Sequence, residues 1–187
     1  MDDEDLFAGA TREFTTRLAA VGDDQWGDAT PNAEWDVRAV VNHVVGELLW
    51  MPPLLGGATV EDVGGRLDGD VLGDDPRAAW EAALTAAGEA AAAADPTATV
   101  HLSYADVPAG QYVSEVGADV LVHTWDLARA VGADEQLPPT LVAQVAEWFA
   151  GVEEAWRAAG AIGDRVPVPD GADDQTRLLA AFGRVAT

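Results

Sequence analysis

Two histidines of this chain each have a carboxylate one helical turn away. Asp119 precedes His123 by four residues, and Glu47 follows His43 by four residues. In an α-helix, residues at this spacing lie on the same face, so each pair could act together. Two imidazoles and one carboxylate from two neighbouring helices would form a three-ligand set for a borderline divalent metal, and would leave coordination positions open for water or substrate.

Each of these residues also has a simpler interpretation. A histidine and a carboxylate at this spacing can be an ordinary hydrogen-bonded pair at the polar edge of an amphipathic helix. Asp126 can pair with Arg129, three residues along the same helix, and Glu47 can lie on a solvated face. The nearby tryptophans, Trp50 and Trp125, are of a type that more often packs in a core than forms a platform for a substrate. Spacing alone therefore leaves the metal site as one hypothesis among several.

Other catalytic chemistry has little support in the sequence. The chain has no cysteine, which excludes disulfides, thiolate metal sites and cysteine nucleophiles. The third histidine, His101, lies in a segment with strand-like alternation, where a lone histidine is usually a surface residue, so we do not expect it to be a ligand. There is no glycine-rich phosphate loop and no G-x-S-x-G motif, and Ser103 and Ser114 have no patterned base nearby.

Five segments have the periodicity of helices that pack against a core. The second of them begins at a candidate cap, Asp36, and we expect Pro52 and Pro53 to end it. The segment "TATVHLSYADVPAGQYV" changes period and predicts a short strand or hairpin. We therefore expect a single, mostly all-α domain over residues 1–187, a four-helix bundle with a hairpin insertion and a short C-terminal extension. The predicted helices span approximately residues 3–21, 36–50, 76–94, 113–131 and 139–158.

The composition limits the partners of the protein. The formal net charge is −23, which disfavours nucleic acid and anionic membrane surfaces as partners. The acidic N-terminus has no signal-peptide pattern, and no apolar run approaches the length of a membrane span, so we expect a cytoplasmic protein. The acidity itself has two explanations, a GC-rich genome or adaptation to high salt.

Two segments resemble motifs of a known family. The segment "AEWDVRAVVNHVVGELLW" contains His43. It resembles the second-helix motif of the actinobacterial metal-binding branch of the DinB-like superfamily, which includes the N-terminal domain of mycothiol-dependent maleylpyruvate isomerase. The segment "DVLVHTWDLARAVG", which contains His123, resembles the H-x-W-D-L-A-R-A-x-G helix of the same branch. Because "LGDDPRAAW" and the closing "DDQTRLLAAFGR" are also similar to this family, the resemblance spans nearly the whole chain.

This resemblance implies a DinB-like four-helix bundle in which His43, Asp119 and His123 bind a divalent metal. Zinc is expected first, with nickel, manganese or iron as alternatives. Glu47 or Asp126 would orient a ligand imidazole or replace the carboxylate ligand.

The chain departs from the isomerase in two respects. The isomerase usually has Glu where this chain has Asp119, and the shorter side chain requires the metal to lie closer to its helix or to be reached through water. The isomerase also has a larger C-terminal domain, whereas this chain has a short tail. Both departures argue against maleylpyruvate isomerisation itself.

The sequence predicts a metal-dependent enzyme that acts on a small-molecule thiol such as mycothiol, as a transferase or an isomerase. A divalent metal deprotonates a coordinated thiol near neutral pH, and a protein without cysteine would take that thiol from solution. Arg38 or Arg129 is a candidate contact for a substrate carboxylate, although the spacing does not require it. The alternatives are a non-catalytic metal- or ligand-binding bundle, and a bundle with a decayed site that acts as a homodimer.

Overall fold

The computed structural model describes residues 3–158 and 162–186, and it is predominantly helical. A short antiparallel hairpin, formed by β1 (Thr99–His101) and β2 (Asp106–Pro108), comes directly before the helix α5. A 3-10 turn, Gly64–Leu67, follows α3. The helices are α1 (Asp3–Ala19), α2 (Val37–Leu55), α3 (Val60–Val63), α4 (Pro76–Ala93), α5 (Ala109–Val131), α6 (Pro139–Ala158) and α7 (Asp174–Ala181).

Four of these helices form a bundle. The helix α1 packs against α5, α5 packs against α2, α2 packs against α4, and α4 closes the ring against α1. Each helix contributes apolar side chains that are almost completely buried, among them Phe14, Leu48, Trp80 and Leu121. Such burial is the main source of stability for a bundle of this size. The mostly helical fold class and the hairpin that the sequence predicted are therefore confirmed.

The helix α2 continues through two prolines. Its N-terminus is capped as predicted, because the side chain of Asp36 accepts a hydrogen bond from the amide of Ala39 at 2.8 Å. The prediction that Pro52 and Pro53 end the helix is wrong, because α2 extends to Leu55. A proline has a helical φ and lacks a donor, but its carbonyl still accepts, and the carbonyl of Pro52 receives the amide of Gly56 at 3.0 Å.

The helix α5 begins four residues earlier than predicted. The amides of Ala109 and Gly110 donate to the carbonyls of Ala98 and Pro96 at 2.8 and 2.9 Å, which supports an additional turn next to the hairpin. The helix ends at Gly132, as predicted, with φ of 71° in the left-handed region. It is buried around most of its circumference but contains several polar residues. Within the described ranges, no helix combines the length and apolar character needed to cross a membrane.

The helices α1 and α5 approach each other closely at Gly117. A Cβ atom at this position would lie 3.2 Å from both the N and the Cα of Phe7, and 3.1 Å from the Cγ of Leu6. Because two of these atoms belong to the backbone of α1, a side chain at position 117 would push the two helices apart. A Cβ atom at Gly88 on α4, in contrast, would meet open space.

These two glycines provide a test of the α1–α5 packing. Gly117→Ala should lower the free energy of unfolding by roughly 1–3 kcal/mol, because it overpacks a close helix contact. Gly88→Ala is the matched control, and should raise that free energy by roughly 0.5–1 kcal/mol, because alanine restricts the unfolded chain. Urea denaturation followed by circular dichroism measures both. Equal effects of the two substitutions would contradict the close approach.

Candidate metal centre

His43 of α2 and Asp119 and His123 of α5 meet at one edge of the bundle core. The Nε2 atom of His43 lies 3.0 Å from Oδ2 of Asp119, and the Nε2 atom of His123 lies 3.5 Å from Oδ1 of the same carboxylate. The centroids of the two imidazole rings are 4.9 Å apart. One donor atom from each of the three residues lies within 4.8 Å of the others. The structure thus brings together the three residues that the sequence motifs indicated.

The position of this cluster follows from the pairing of α2 with α5. Both helices direct a continuous apolar stripe into the core, and the cluster lies beside the middle of those stripes. The side chains of His43 and Asp119 remain 28% and 32% exposed, whereas that of His123 is 5% exposed. The centre is therefore reachable from one side and closed on the other.

The charges of the cluster compensate one another. Burial raises the pKa of Asp119, but His123 and His43 lower it more, so the net pKa lies well below the ordinary range of a carboxyl group. Burial lowers the pKa of His123, but Asp119 and Asp126 outweigh it and raise the pKa to about 9. The two carboxylates, one at each ring nitrogen, therefore favour the doubly protonated imidazole. A cation bound at Nε2 would replace the proton there.

Asp126 holds the other ring nitrogen of His123. Its Oδ2 atom accepts a hydrogen bond from Nδ1 of His123 at 2.9 Å, and a second from Nη2 of Arg184 at 2.8 Å. The carboxylate is completely buried. Burial raises the pKa of Asp126, but the hydrogen bonds from His123 and Arg184 have the larger effect. The net pKa is below the ordinary value, which favours the ionised carboxylate. A carboxylate behind a histidine fixes the orientation of its ring, which is the first of the two roles that the sequence left open for Asp126.

Arg184 was not identified from the sequence. It lies 58 residues from Asp126, so no helical spacing relates the two. The sequence offered Arg129 as one alternative partner of Asp126. In the structure Asp126 pairs with Arg184, and Arg129 pairs with Glu135 at 3.1 Å. Two features of the sequence could have indicated Arg184. A carboxylate such as Asp126 in an apolar helix requires a cationic partner, and Arg184 lies in the closing segment that resembles the family.

Trp35 lies against both imidazole rings, and it too was not identified from the sequence as a residue of the site. Its ring centroid lies 4.7 Å from that of His43, and 5.5 Å from that of His123 in a stacked arrangement. The loop that carries this tryptophan is fixed by Thr30, whose hydroxyl donates to the carbonyl of Trp35 at 2.8 Å. An indole in this position keeps water from the faces of both imidazoles and restricts their rotation.

A cavity of about 860 Å³ opens beside the cluster, and His43 and Asp119 form part of its wall. The wall is mostly apolar and comes from α2, α3, the hairpin loop, α5 and α6. Glu47 also lines it, one turn from His43, but it lies outside the group of converging donor atoms. Burial raises the pKa of Glu47, Asp119 adds to that rise, and the two histidines oppose it in part.

The remaining residues singled out in the sequence have structural roles or lie in the cavity wall. His101 is 44% exposed, and its Nδ1 lies 2.8 Å from Oδ1 of Asp106 within the hairpin. It does not belong to the cluster of His43, Asp119 and His123. Trp125 is buried in the core, whereas Trp50 lines the cavity. The hydroxyl of Ser114 donates to the carbonyl of Gly110 at 3.0 Å, as expected for a serine without a base to activate it.

The three donor groups fit a divalent cation. Imidazole nitrogens and carboxylate oxygens bind zinc at about 2.0–2.2 Å, which places tetrahedral ligand atoms about 3.3 Å apart. The contacts of Asp119 with His43 and His123, 3.0 and 3.5 Å, are close to that separation, and the donor atoms of the two imidazoles lie within 4.8 Å of each other. Asp119 supplies a negative charge, and the Asp126 carboxylate behind His123 is an arrangement typical of metal-bound histidines.

Comparison with known proteins identifies relatives over most of the chain. The family described as "Mycothiol maleylpyruvate isomerase N-terminal domain" matches residues 7–128, which include the three cluster residues and Asp126 but not Arg184. Two proteins of Mycobacterium tuberculosis, "Uncharacterized protein MT0763" (strain CDC 1551 / Oshkosh) and "Uncharacterized protein Rv0738" (strain ATCC 25618 / H37Rv), are each 34% identical over 174 residues, 91% of either chain. No solved structure gives a significant match. The chain therefore belongs to the mycothiol maleylpyruvate isomerase N-terminal domain family.

Proposed function

We propose that this protein binds a divalent metal, zinc in the first instance, through His43, Asp119 and His123. We further propose that it uses the metal with a low-molecular-weight thiol of the mycothiol type, in a transfer or isomerisation reaction. The observation that carries the proposal is the convergence of three donor atoms within 4.8 Å at the wall of a cavity of about 860 Å³. The family, whose description includes mycothiol, supports the choice of thiol.

The residues around the centre have distinct tasks in this proposal. When bound, a divalent cation lowers the pKa of a coordinated thiol, so that a thiolate nucleophile is available at neutral pH. Asp126 accepts a hydrogen bond from Nδ1 of His123 and thereby keeps Nε2 directed toward Asp119. Trp35 excludes water from the faces of both imidazoles. The open side of the centre faces the cavity, which has the volume of a typical small-molecule site.

The absence of cysteine is consistent with an external thiol. A chain without cysteine has no thiolate of its own to compete for the metal or for an electrophile. A thiol at this centre would therefore come from solution, and the cavity that His43 and Asp119 line is the space beside the cluster that would receive it.

Metal content should depend on two of the three histidines. His43→Ala and His123→Ala should each lower the metal content of the untagged protein sharply, because two remaining donors hold a cation weakly. His101→Ala is the matched control and should leave the content unchanged, since His101 lies in the hairpin with Asp106. Elemental analysis of the purified proteins measures all three. An equal loss in all three variants would mean that the ligand set is wrong.

The carboxylate should contribute mainly through its charge. Asp119→Asn keeps the size of the side chain but removes the charge, so the affinity for zinc should fall roughly tenfold or more. Asp119→Glu should retain the metal, because the longer side chain projects from the same face of α5. Competition with a chromogenic chelator measures both affinities. If Asp119→Asn binds zinc like the wild type while the histidine variants do not, Asp119 is not a ligand, and Glu47 becomes the candidate.

A spectroscopic titration tests the thiol part of the proposal. Adding mycothiol or 2-mercaptoethanol to the cobalt(II)-substituted protein should produce thiolate-to-metal charge-transfer absorption at neutral pH, because the cation deprotonates the coordinated thiol. Ethylene glycol, the oxygen analogue of 2-mercaptoethanol, should produce none, and His123→Ala should abolish the response. Cobalt binding without any response to thiol would instead favour a non-catalytic metal-binding bundle.

A further inference from the structure

The cavity beside the metal centre has an aromatic and apolar wall. Trp50 of α2, Tyr112 of α5 and Trp156 of α6 contribute rings from three elements, and Tyr104 contributes a fourth from the hairpin loop. Aliphatic side chains such as those of Leu54 and Val116 complete much of the remainder. Rings on several sides of one space favour a ligand with an apolar, flat body, because such a body buries the most apolar surface there.

The wall contains three carboxylates and one imidazole. Glu47, Glu115 and Asp119 line the cavity from α2 and α5, and the imidazole of His43 lies 3.0 Å from Asp119. Glu115 is held by two donors, the hydroxyl of Tyr104 and the amide of Gln111, the latter at 2.8 Å. The remaining polar groups of the wall, the two tyrosine hydroxyls, the Gln111 amide and a serine, carry no charge. Burial keeps the hydroxyl of Tyr112 protonated by raising its pKa, and the charge of Glu47 adds to this effect.

No arginine lines the cavity in the described part of the chain, and the chain has no lysine. The two arginines that the sequence offered as contacts for a substrate carboxylate lie elsewhere. Arg38 pairs with Asp70 at 2.7 Å, and Arg129 pairs with Glu135 at 3.1 Å. Recognition of a carboxylate in a protein normally uses the guanidinium group of an arginine, so this cavity lacks the usual partner for an anionic substrate.

We propose that the second substrate of this centre is an uncharged, aromatic molecule, and that the cavity excludes carboxylates. The inference rests on the proposed function in that it assigns the cavity to the second substrate of the thiol-dependent reaction. Maleylpyruvate is a dicarboxylate. A cavity that excludes carboxylates would therefore distinguish this protein from a maleylpyruvate isomerase. In a partly buried space a like charge is screened far less than in water, so the carboxylate of Glu115 repels an anion, and Glu47 adds to the repulsion to the extent that it is ionised.

Equilibrium dialysis with two matched probes tests the proposal. The probes 2-acetylnaphthalene and 2-naphthoate have the same ring system and similar substituents, but the second carries a negative charge. The neutral ketone should bind at least about tenfold more tightly than the carboxylate. Both probes are measured without thiol, first on the protein as purified and then after treatment with a chelator. After chelation, 2-naphthoate cannot bind through a metal.

Two variants locate the effect in the cavity. Glu115→Gln keeps the size of the side chain and an acceptor for Tyr104, and should narrow the difference between the probes several-fold by removing one charge. Glu89→Gln, on the exposed surface of α4, removes a charge outside the cavity wall and should leave the difference unchanged.

Equal affinities, tighter binding of 2-naphthoate, no detectable binding of the ketone, or identical effects of the two glutamate variants would each overturn the proposal. Because dialysis after chelation requires neither metal nor thiol, its failure is distinct from a failure of the proposed metal and thiol chemistry.

Discussion

The geometry of the centre depends on the contacts of the buried Asp126 carboxylate with His123 and Arg184. A charged group removed from water destabilises the fold by several kcal/mol unless it is paired and hydrogen-bonded. Here the partners are His123 on the same helix and Arg184 from the end of the chain. The segment that carries Arg184 must therefore lie against α5, and His123 must keep its Nδ1 atom on Asp126. As a result, its Nε2 atom faces Asp119 and His43.

The helix α5 imposes a second constraint, because it is buried around most of its circumference and still carries polar side chains. The hydroxyl groups of Ser114 and Thr124 are satisfied within the helix, because they donate to the carbonyls of Gly110 and Val120 at 3.0 and 2.8 Å. His123 pairs within the helix with Asp119 and Asp126. Each of these carboxylates also has a partner outside the helix, His43 of α2 for Asp119 and Arg184 of the C-terminal segment for Asp126. The cluster is a consequence of placing ionisable groups on the central helix of an apolar bundle.

The helices and the core of the cluster could be predicted from the sequence because they are local properties. A repeat of apolar residues defines a helix, and a spacing of four residues places Asp119 and His123 on one face. The end of α2 was predicted wrongly because proline propensity was given more weight than the packing of Met51 and Leu54, both of which are buried. The early start of α5 depends on carbonyls in a different segment, which no helical pattern reveals.

The contacts that complete the site join residues that are distant in the sequence, and for that reason helical spacing could not predict them. Arg184 and Trp35 reach the centre from loops whose paths are fixed by tertiary packing. The charge of the cavity wall is a property of several elements at once, since Glu47 comes from α2 and Glu115 from α5. A list of acidic residues gives the net charge, but it does not identify which of them face a common space.

The contact between His43 and Asp119 joins positions that are 76 residues apart and encloses α3, α4 and the hairpin. In polymer terms, an ion held across this contact closes a long loop. A permanent bond across a loop of that length would remove about 4.5 kcal/mol of conformational freedom from the unfolded chain. A reversible ion that binds only the folded chain also stabilises it, by RT ln(1 + c/Kd) with c the concentration of free metal, so its contribution grows with that concentration. Because its ligands lie on two helices rather than one, the cation would cross-link the first half of the bundle to the second.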